Sequence, residues 1–132
     1  MAQWTPSHHN NADEYIGSCL PFATGNLALT TAPTVIHFPY VTRWIQVFNT
    51  GAGVIRVGFT KNGVNGNPAA NSNYFTLSGS NGTTQRLELK VTKIFLRADS
   101  GDGACSVVAG YTNVPKQQYL NLSGSSDFAG VG

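Results

Sequence analysis

The sequence has 132 residues, of which 41% are hydrophobic and 11% are charged, and its formal net charge is +2. This length fits one domain, and the apolar fraction argues against wholesale disorder. The charged fraction is well below the ~25% of an ordinary soluble domain, so we expect other subunits to cover much of the surface.

The N-terminal stretch "MAQWTPSHHNNADEYIG" has no basic region followed by an apolar core, so we expect no secretory signal. No apolar run approaches the ~20 residues of a membrane-spanning helix, and we expect no direct membrane insertion. Cys19 and Cys105 lack CxxC spacing. Without export they are expected to be free, buried thiols, with one long-range disulfide as the alternative.

Three regions differ in periodicity. Residues 1–25 are polar and predict an extended N-terminal arm. Residues 26–115 alternate between apolar and polar side chains almost throughout, which predicts β-strands, and no window carries a helical stripe. Residues 116–132 form a small, polar C-terminal tail, in which we expect an edge strand around 118–122 and then a flexible end.

Turn-forming residues separate the predicted strands. They lie at 49–53, 61–73, 78–84 and 99–103, and the long 61–73 stretch predicts an exposed crossing loop. About eight short strands at this spacing favour an antiparallel sandwich or barrel. Within that all-β class we predict an eight-stranded single jelly roll.

The stretch "DSGDG" has two interpretations, a calcium loop or a turn. An EF-hand loop that began at Asp99 would need side-chain ligands at positions held by Gly101, Gly103 and Gly110, which have none. Aspartate and glycine are also typical turn residues. We therefore predict that Asp99 and Asp102 belong to a turn between two strands.

Catalytic and metal-binding patterns are weak. His8 and His9 lie in the arm, and a lone His37 in a strand predicts a half-buried residue bonded to the backbone rather than a metal ligand. The sequence has no Gly-x-Ser-x-Gly elbow and no phosphate loop. Six acidic residues make a hidden carboxylate pair improbable. We expect no enzyme activity and no cofactor, and keep a metalloenzyme barrel only as a formal alternative.

The basic residues do not predict nucleic-acid binding. The one cluster is interrupted by Glu88 and comprises Arg86, Lys90, Lys93 and Arg97. Nucleic-acid binding usually requires several convergent cations, often with stacking aromatics. We interpret these side chains as solvent-facing positions on strands.

Aromatic residues suggest two binding roles. Trp4 and Tyr15 lie in a polar arm that cannot bury them alone, and with Phe22 we interpret them as assembly anchors. The alternative function is a carbohydrate- or receptor-binding sandwich of the adhesin or lectin type. The aromatic residues that could form its sugar-binding surface are Trp4, Tyr15, Tyr40, Trp44, Tyr74 and Tyr111.

Four stretches carry a resemblance to a known family. They are "YIGSCLPFATG" (15–25), "VTRWIQVFNTGAGVIRVGFT" (41–60), "LELKVTKIFLRADSG" (87–101) and "CSVVAGYTNVP" (105–115). In these stretches the chain resembles the small single jelly-roll penton, or vertex, proteins of large icosahedral double-stranded DNA viruses. The resemblance covers roughly residues 15–115.

The resemblance implies a structural virion protein, made in the host cytoplasm, that forms homopentamers at the five-fold vertices of a capsid. Its implied neighbours are a double jelly-roll major capsid protein and minor capsid proteins. The arm would run along the inner surface. One set of turns would approach the axis or the outside. If the turn that contains Asp99 and Asp102 points to the axis, these residues would form a ring of carboxylates.

Overall fold

The computed structural model describes residues 20–66, 72–115 and 117. These residues form seven β-strands and one short helix, and every strand pair is antiparallel, so the all-β prediction is confirmed. The elements in chain order are β1 Leu20–Leu29, β2 Thr34–His37, β3 Tyr40–Asn49, β4 Ile55–Gly58, α1 Lys61–Asn65, β5 Tyr74–Leu77, β6 Lys93–Ala98 and β7 Gly103–Pro115.

The strands form two sheets that enclose one core. Their orders are β1-β7-β3 and β2-β6-β4-β5. Successive side chains of a strand point to opposite faces of the sheet. Along β6, Ile94, Leu96 and Ala98 are therefore buried in the core, whereas the residues between them are not. The inner faces meet in a cluster that includes Phe38, Ile45, Val47, Ile55, Val57, Ile94, Leu96, Cys105 and Val107.

Residues 82–91 run beside β3 without forming a regular strand. Ile45 and Leu87 exchange backbone hydrogen bonds of 2.9 and 2.8 Å. Elsewhere a threonine side chain takes part, because the Thr42 hydroxyl donates to the Leu89 carbonyl at 2.6 Å and accepts from the Val91 amide at 3.1 Å. Within the region predicted to form strands, residues 87–91 therefore form bridges interrupted by side-chain bonds rather than a regular strand.

The predicted arm extended too far into the domain. We placed residues 1–25 in the arm, but β1 begins at Leu20, which pairs with Tyr111. Phe22 lies opposite Ala109 and packs on the core, so the first half of β1 is held by sheet pairing. Residues 1–19 lie outside the described part of the chain, as do residues 116 and 118–132 of the predicted tail.

The prediction for residues 61–73 was also partly wrong, because α1 forms there. The Thr60 hydroxyl accepts from the Gly63 amide at 3.0 Å and caps the helix, and Gly66 ends it with φ of 65°. Gly63 and Val64 are buried. Since β4 and β5 are hydrogen-bonded neighbours, this segment connects adjacent strands rather than crossing the molecule.

Four connections meet at one end of the sandwich, which we call the loop end: residues 30–33, 50–54, 78–82 and 99–102. The Ser80 amide donates to the Gly51 carbonyl, and the Asp99 amide donates to the Val54 carbonyl, each at 2.9 Å. Three of the four predicted turns therefore lie together. Because β4 runs away from the loop end, the connection over 61–73 begins at its opposite end.

Candidate functional site

On the outer face of the three-stranded sheet, none of the ten paired residues that point outward is charged. The register places Val108 opposite Ala23 and Gln46, and Gly110 opposite Trp44. Alternation directs these residues away from the core formed by their neighbours. The outward residues are Pro21, Ala23, Ala28, Trp44, Gln46, Phe48, Ala104, Ser106, Val108 and Gly110.

One side of the sandwich extends this uncharged face. β1 and β2 are edge strands of the two sheets, and the short connection over 30–33 joins them. Residues 20–42 contain no Asp, Glu, Lys or Arg. Leu20 and Val35 remain 53% and 37% exposed. We call these edge strands, together with the outer face, the neutral surface. Charged residues lie at its margin: Arg43 in a bulge of β3, and the Arg86–Glu88 ion pair of the segment beside β3.

The outer face of the four-stranded sheet is different, because it is cationic. Arg56 and Arg97 lie directly opposite each other in the register of β4 and β6. Arg56 Nε lies 2.7 Å from Asp99 Oδ1, and Arg97 Nη1 donates to Asn65 Oδ1 at 3.1 Å. Each guanidinium thus has an acceptor that offsets the repulsion between them. Lys93 projects from the same face.

Arg56 also holds α1 against the sheet. Its Nη1 donates to the carbonyl oxygens of Val64 and Asn65 at 3.3 and 3.0 Å, which are acceptors at the end of the helix. The guanidinium lies 4.4 Å from the centre of the Tyr74 ring. No local sequence pattern predicts this role of Arg56, because its partners lie between 8 and 43 positions away along the chain.

The structure separates the roles of the two aspartates at the loop end. The stretch over 99–102 is a turn between β6 and β7, as predicted, and it crosses from one sheet to the other. Asp99 is paired with Arg56 of its own chain. Asp102 is exposed, and within the described residues it has no ion pair. Asp102 is thus the less compensated carboxylate of the turn.

Phe22 packs within its own chain. Its ring meets the Phe38 ring edge-on at 5.2 Å between centroids and lies 6.0 Å from the Tyr111 ring. The burial of Phe22 therefore needs no partner subunit. The other two predicted anchors, Trp4 and Tyr15, lie outside the described residues.

The described aromatic residues do not form one platform. Trp44 lies on the neutral surface, whereas Tyr74 lies on the opposite outer face beneath Arg56. Tyr40 and Tyr111 contact each other inside the sandwich, with ring centroids 6.0 Å apart. Burial raises the pKa of Tyr111, and its buried hydroxyl has no hydrogen-bond partner among the described residues. A carbohydrate site that combines Trp44 with these tyrosines is not present in the described chain.

The basic cluster of the sequence is divided between the sheets. Arg86 and Lys90 belong to the segment beside β3, and Arg86 Nη2 lies 2.8 Å from Glu88 Oε1. Lys93 and Arg97 lie on β6 in the other sheet. The four cations therefore do not line one strand or one sheet face.

Metal-binding groups are not brought together in the described residues. No group of three or more His, Cys, Asp or Glu side chains there could hold a metal ion. His37 lies exposed on β2 opposite Lys93, so the prediction that it is half-buried was wrong. Its position on the outward side of an edge strand explains the exposure. None of the helices described is long and apolar enough to cross a membrane.

Cys105 is a free thiol in the core, as the first interpretation predicted. Burial raises the pKa of Cys105 from 9.0 to about 11, so the thiol stays protonated near neutral pH. Cys19 lies outside the described residues. The disulfide alternative is therefore not realised at Cys105.

Comparisons with protein-family models, curated proteins and solved structures found no match for this chain.

Proposed function

We propose that this protein is a structural virion subunit whose homopentamers close the five-fold vertices of an icosahedral capsid. The proposal combines the resemblance of residues 15–115 to penton proteins with one structural observation, the nested pairing of the strands. A fold alone does not define a function, so the surface of the domain must also suit an assembly role.

The nested pairing is that of a long hairpin rolled into a sandwich. β1 pairs with β7, β2 with β6, and β4 with β5. The 82–91 segment bonds to β3. If that segment counts as the sixth of eight strands, the first pairs with the last, the second with the seventh, and so on inward. This order supports an eight-stranded jelly roll. In that arrangement the pairing of β3 with β7 completes the sheet that contains β1, β7 and β3.

The neutral surface supports an assembly role. Exposed uncharged edge strands tend to aggregate, and natural monomers protect them with charges. β1 has ten residues and no charge, although Pro21 and the register shift between Thr24 and Leu27 interrupt its free edge. A subunit with such a surface suits a particle in which neighbouring chains cover it.

The proposed partners are other copies of this chain, a double jelly-roll major capsid protein and minor capsid proteins. The proposed location is the capsid vertex after synthesis in the host cytoplasm. No enzymatic step, cofactor or nucleic-acid contact forms part of the proposal. The carbohydrate-binding alternative gains no support from the described aromatic residues, which lie on different faces.

A particle reconstruction tests this proposal. Virions that contain the protein should show density for an upright β-sandwich of this size, repeated five times around each five-fold axis. Labelling the chain with a C-terminal tag should add density at the same vertices. Tagged particles whose extra density lies elsewhere, or whose vertices hold a different protein, would refute the vertex role.

A further inference from the structure

The described domain offers several surfaces that differ in charge. The outer face of the four-stranded sheet bears Arg56, Lys93 and Arg97, and part of it is covered by α1. The loop end bears Asp99 and Asp102. The neutral surface is the broad region without either sign of charge. Two identical domains can approach through it without placing like charges opposite each other.

Copies of the domain must overcome mutual repulsion. The full chain has eight Lys and Arg and six Asp and Glu, so each copy carries a net charge of +2. Five copies around one axis bring these charges together. Contacts through the cationic face would increase the repulsion, whereas contacts through uncharged residues would keep the cations apart.

The dimensions of the neutral surface suit a subunit contact. Ten-residue β1 is ~33 Å long, and three strands span ~14 Å, so the outer face covers on the order of 400 Å². β2 has only four residues and the sheets lie ~10 Å apart, so the side where its edge lies beside that of β1 adds on the order of 130 Å². The sum is about two-thirds of the ~800 Å² that each partner contributes to a standard interface.

We infer that a second copy of this chain covers the neutral surface, in a contact centred on β1 and on Trp44. This inference rests on the proposed homopentamer and identifies the surface through which its subunits meet. In a closed ring each copy would present the neutral surface to a different surface of the next copy. The major and minor capsid proteins would then bind to other surfaces of the domain.

Charge substitutions on the neutral surface test the inference. In the full-length protein, Ala23→Lys and Val35→Lys each place an ammonium group at an exposed position of an edge strand. The matched control is Val54→Lys, because Val54 is 40% exposed, close to the 37% of Val35, but lies at the loop end. Native mass spectrometry measures assembly, and thermal unfolding verifies folding.

We expect a pentamer for the wild type and for Val54→Lys, and monomers for Ala23→Lys and Val35→Lys at the same micromolar concentration. All variants should unfold cooperatively. If one neutral-surface variant fails to fold, Ala28→Lys replaces it, because Ala28 is also exposed on β1.

The outcomes separate this contact from the pentamer itself. Folded Ala23→Lys and Val35→Lys proteins that remain pentameric would overturn the contact and leave the pentamer standing, and equal dissociation of Val54→Lys would also overturn the contact. An oligomer of another size that Ala23→Lys dissociates would overturn the pentamer and support the contact. A monomeric wild type would overturn both.

Discussion

Asn49 connects three segments at the loop end. Its Nδ2 donates to the carbonyl oxygens of Gly53 and Leu77, at 2.8 and 3.0 Å, and its Oδ1 accepts from the Gly51 amide at 3.1 Å. The residue is 1% exposed. A buried amide with these bonds fixes the path of the chain from β3 into β4.

Replacement of Asn49 by Ala should lower the free energy of unfolding by about 2–4 kcal/mol, because three bonds are lost and the bond lost at the Leu77 carbonyl is buried. Urea denaturation measures the change. Gln85→Ala, at an exposed position beyond the loop end, is the control and should change stability by less than about 0.5 kcal/mol. Equal effects of the two substitutions would contradict the role of Asn49.

Because the pKa of Cys105 is raised, the stability of the fold depends on pH in the alkaline range. The folded protein keeps the proton up to about pH 11, whereas an unfolded thiol loses it near 9.0. Between these values the unfolded state binds fewer protons, so stability falls as pH rises. Two pKa units correspond to a loss of up to about 2–3 kcal/mol.

Comparison of the wild type with Cys105→Ala isolates this effect. Urea denaturation from pH 8 to pH 11 should show a smaller decrease in unfolding free energy for Cys105→Ala, because the burial of Tyr111 contributes to both proteins alike. Identical pH profiles would show that Cys105 does not carry the effect.

Among the elements, the loops over 50–54 and 78–82 approach each other closely. A Cβ atom added to Gly79 would lie 1.9 Å from the Ala52 carbonyl oxygen, which belongs to backbone and cannot rotate away. Glycine at this position therefore permits the contact between the two loops.

Gly79→Ala should destabilise the protein by about 2–3 kcal/mol through this clash. Gly25→Ala is the control, because the nearest atom to its added Cβ would be Ser106 Oγ at 4.0 Å. We expect Gly25→Ala to be neutral or slightly stabilising. Thermal unfolding of both variants measures the difference, and a harmless Gly79→Ala would mean that the two loops do not pack as described.

The regular strands were the elements that sequence patterns could predict. Alternation in "KIFLRA" and its neighbours predicted strands because one face of each is buried. The segment over 82–91 differs because the Thr42 and Thr84 side chains replace backbone ladder bonds, and such bonds depend on residues about 40 positions apart. Local periodicity contains no signal for them.

The start of β1 and helix α1 were also difficult to predict from local sequence patterns. Residues 20–25 (LPFATG) show no clean alternation of polar and apolar side chains, and their place in β1 follows from pairing with β7. Helix α1 has five residues, too few for a periodic stripe, although Thr60 and Gly66 are recognisable caps. The uncharged run over residues 20–42 is visible directly in the sequence and could have indicated the uncharged side of the domain.

At the scale of the whole molecule, the two outer faces of the sandwich differ in charge. One belongs to the neutral surface and the other is cationic, which is consistent with the proposed assembly. Asp99 is neutralised by Arg56 within its own chain. Asp102 has no ion pair within the described residues, so if the loop end faces a five-fold axis, the ring of carboxylates there would be formed by Asp102.

The mass of the purified full-length protein in solution tests the homopentamer most directly. One chain has a mass of 14.0 kDa. Native mass spectrometry at micromolar concentration should give a species of about 70 kDa, five times that value, which dissociates as the protein is diluted. A species of 14.0 kDa that persists at all concentrations would contradict the account.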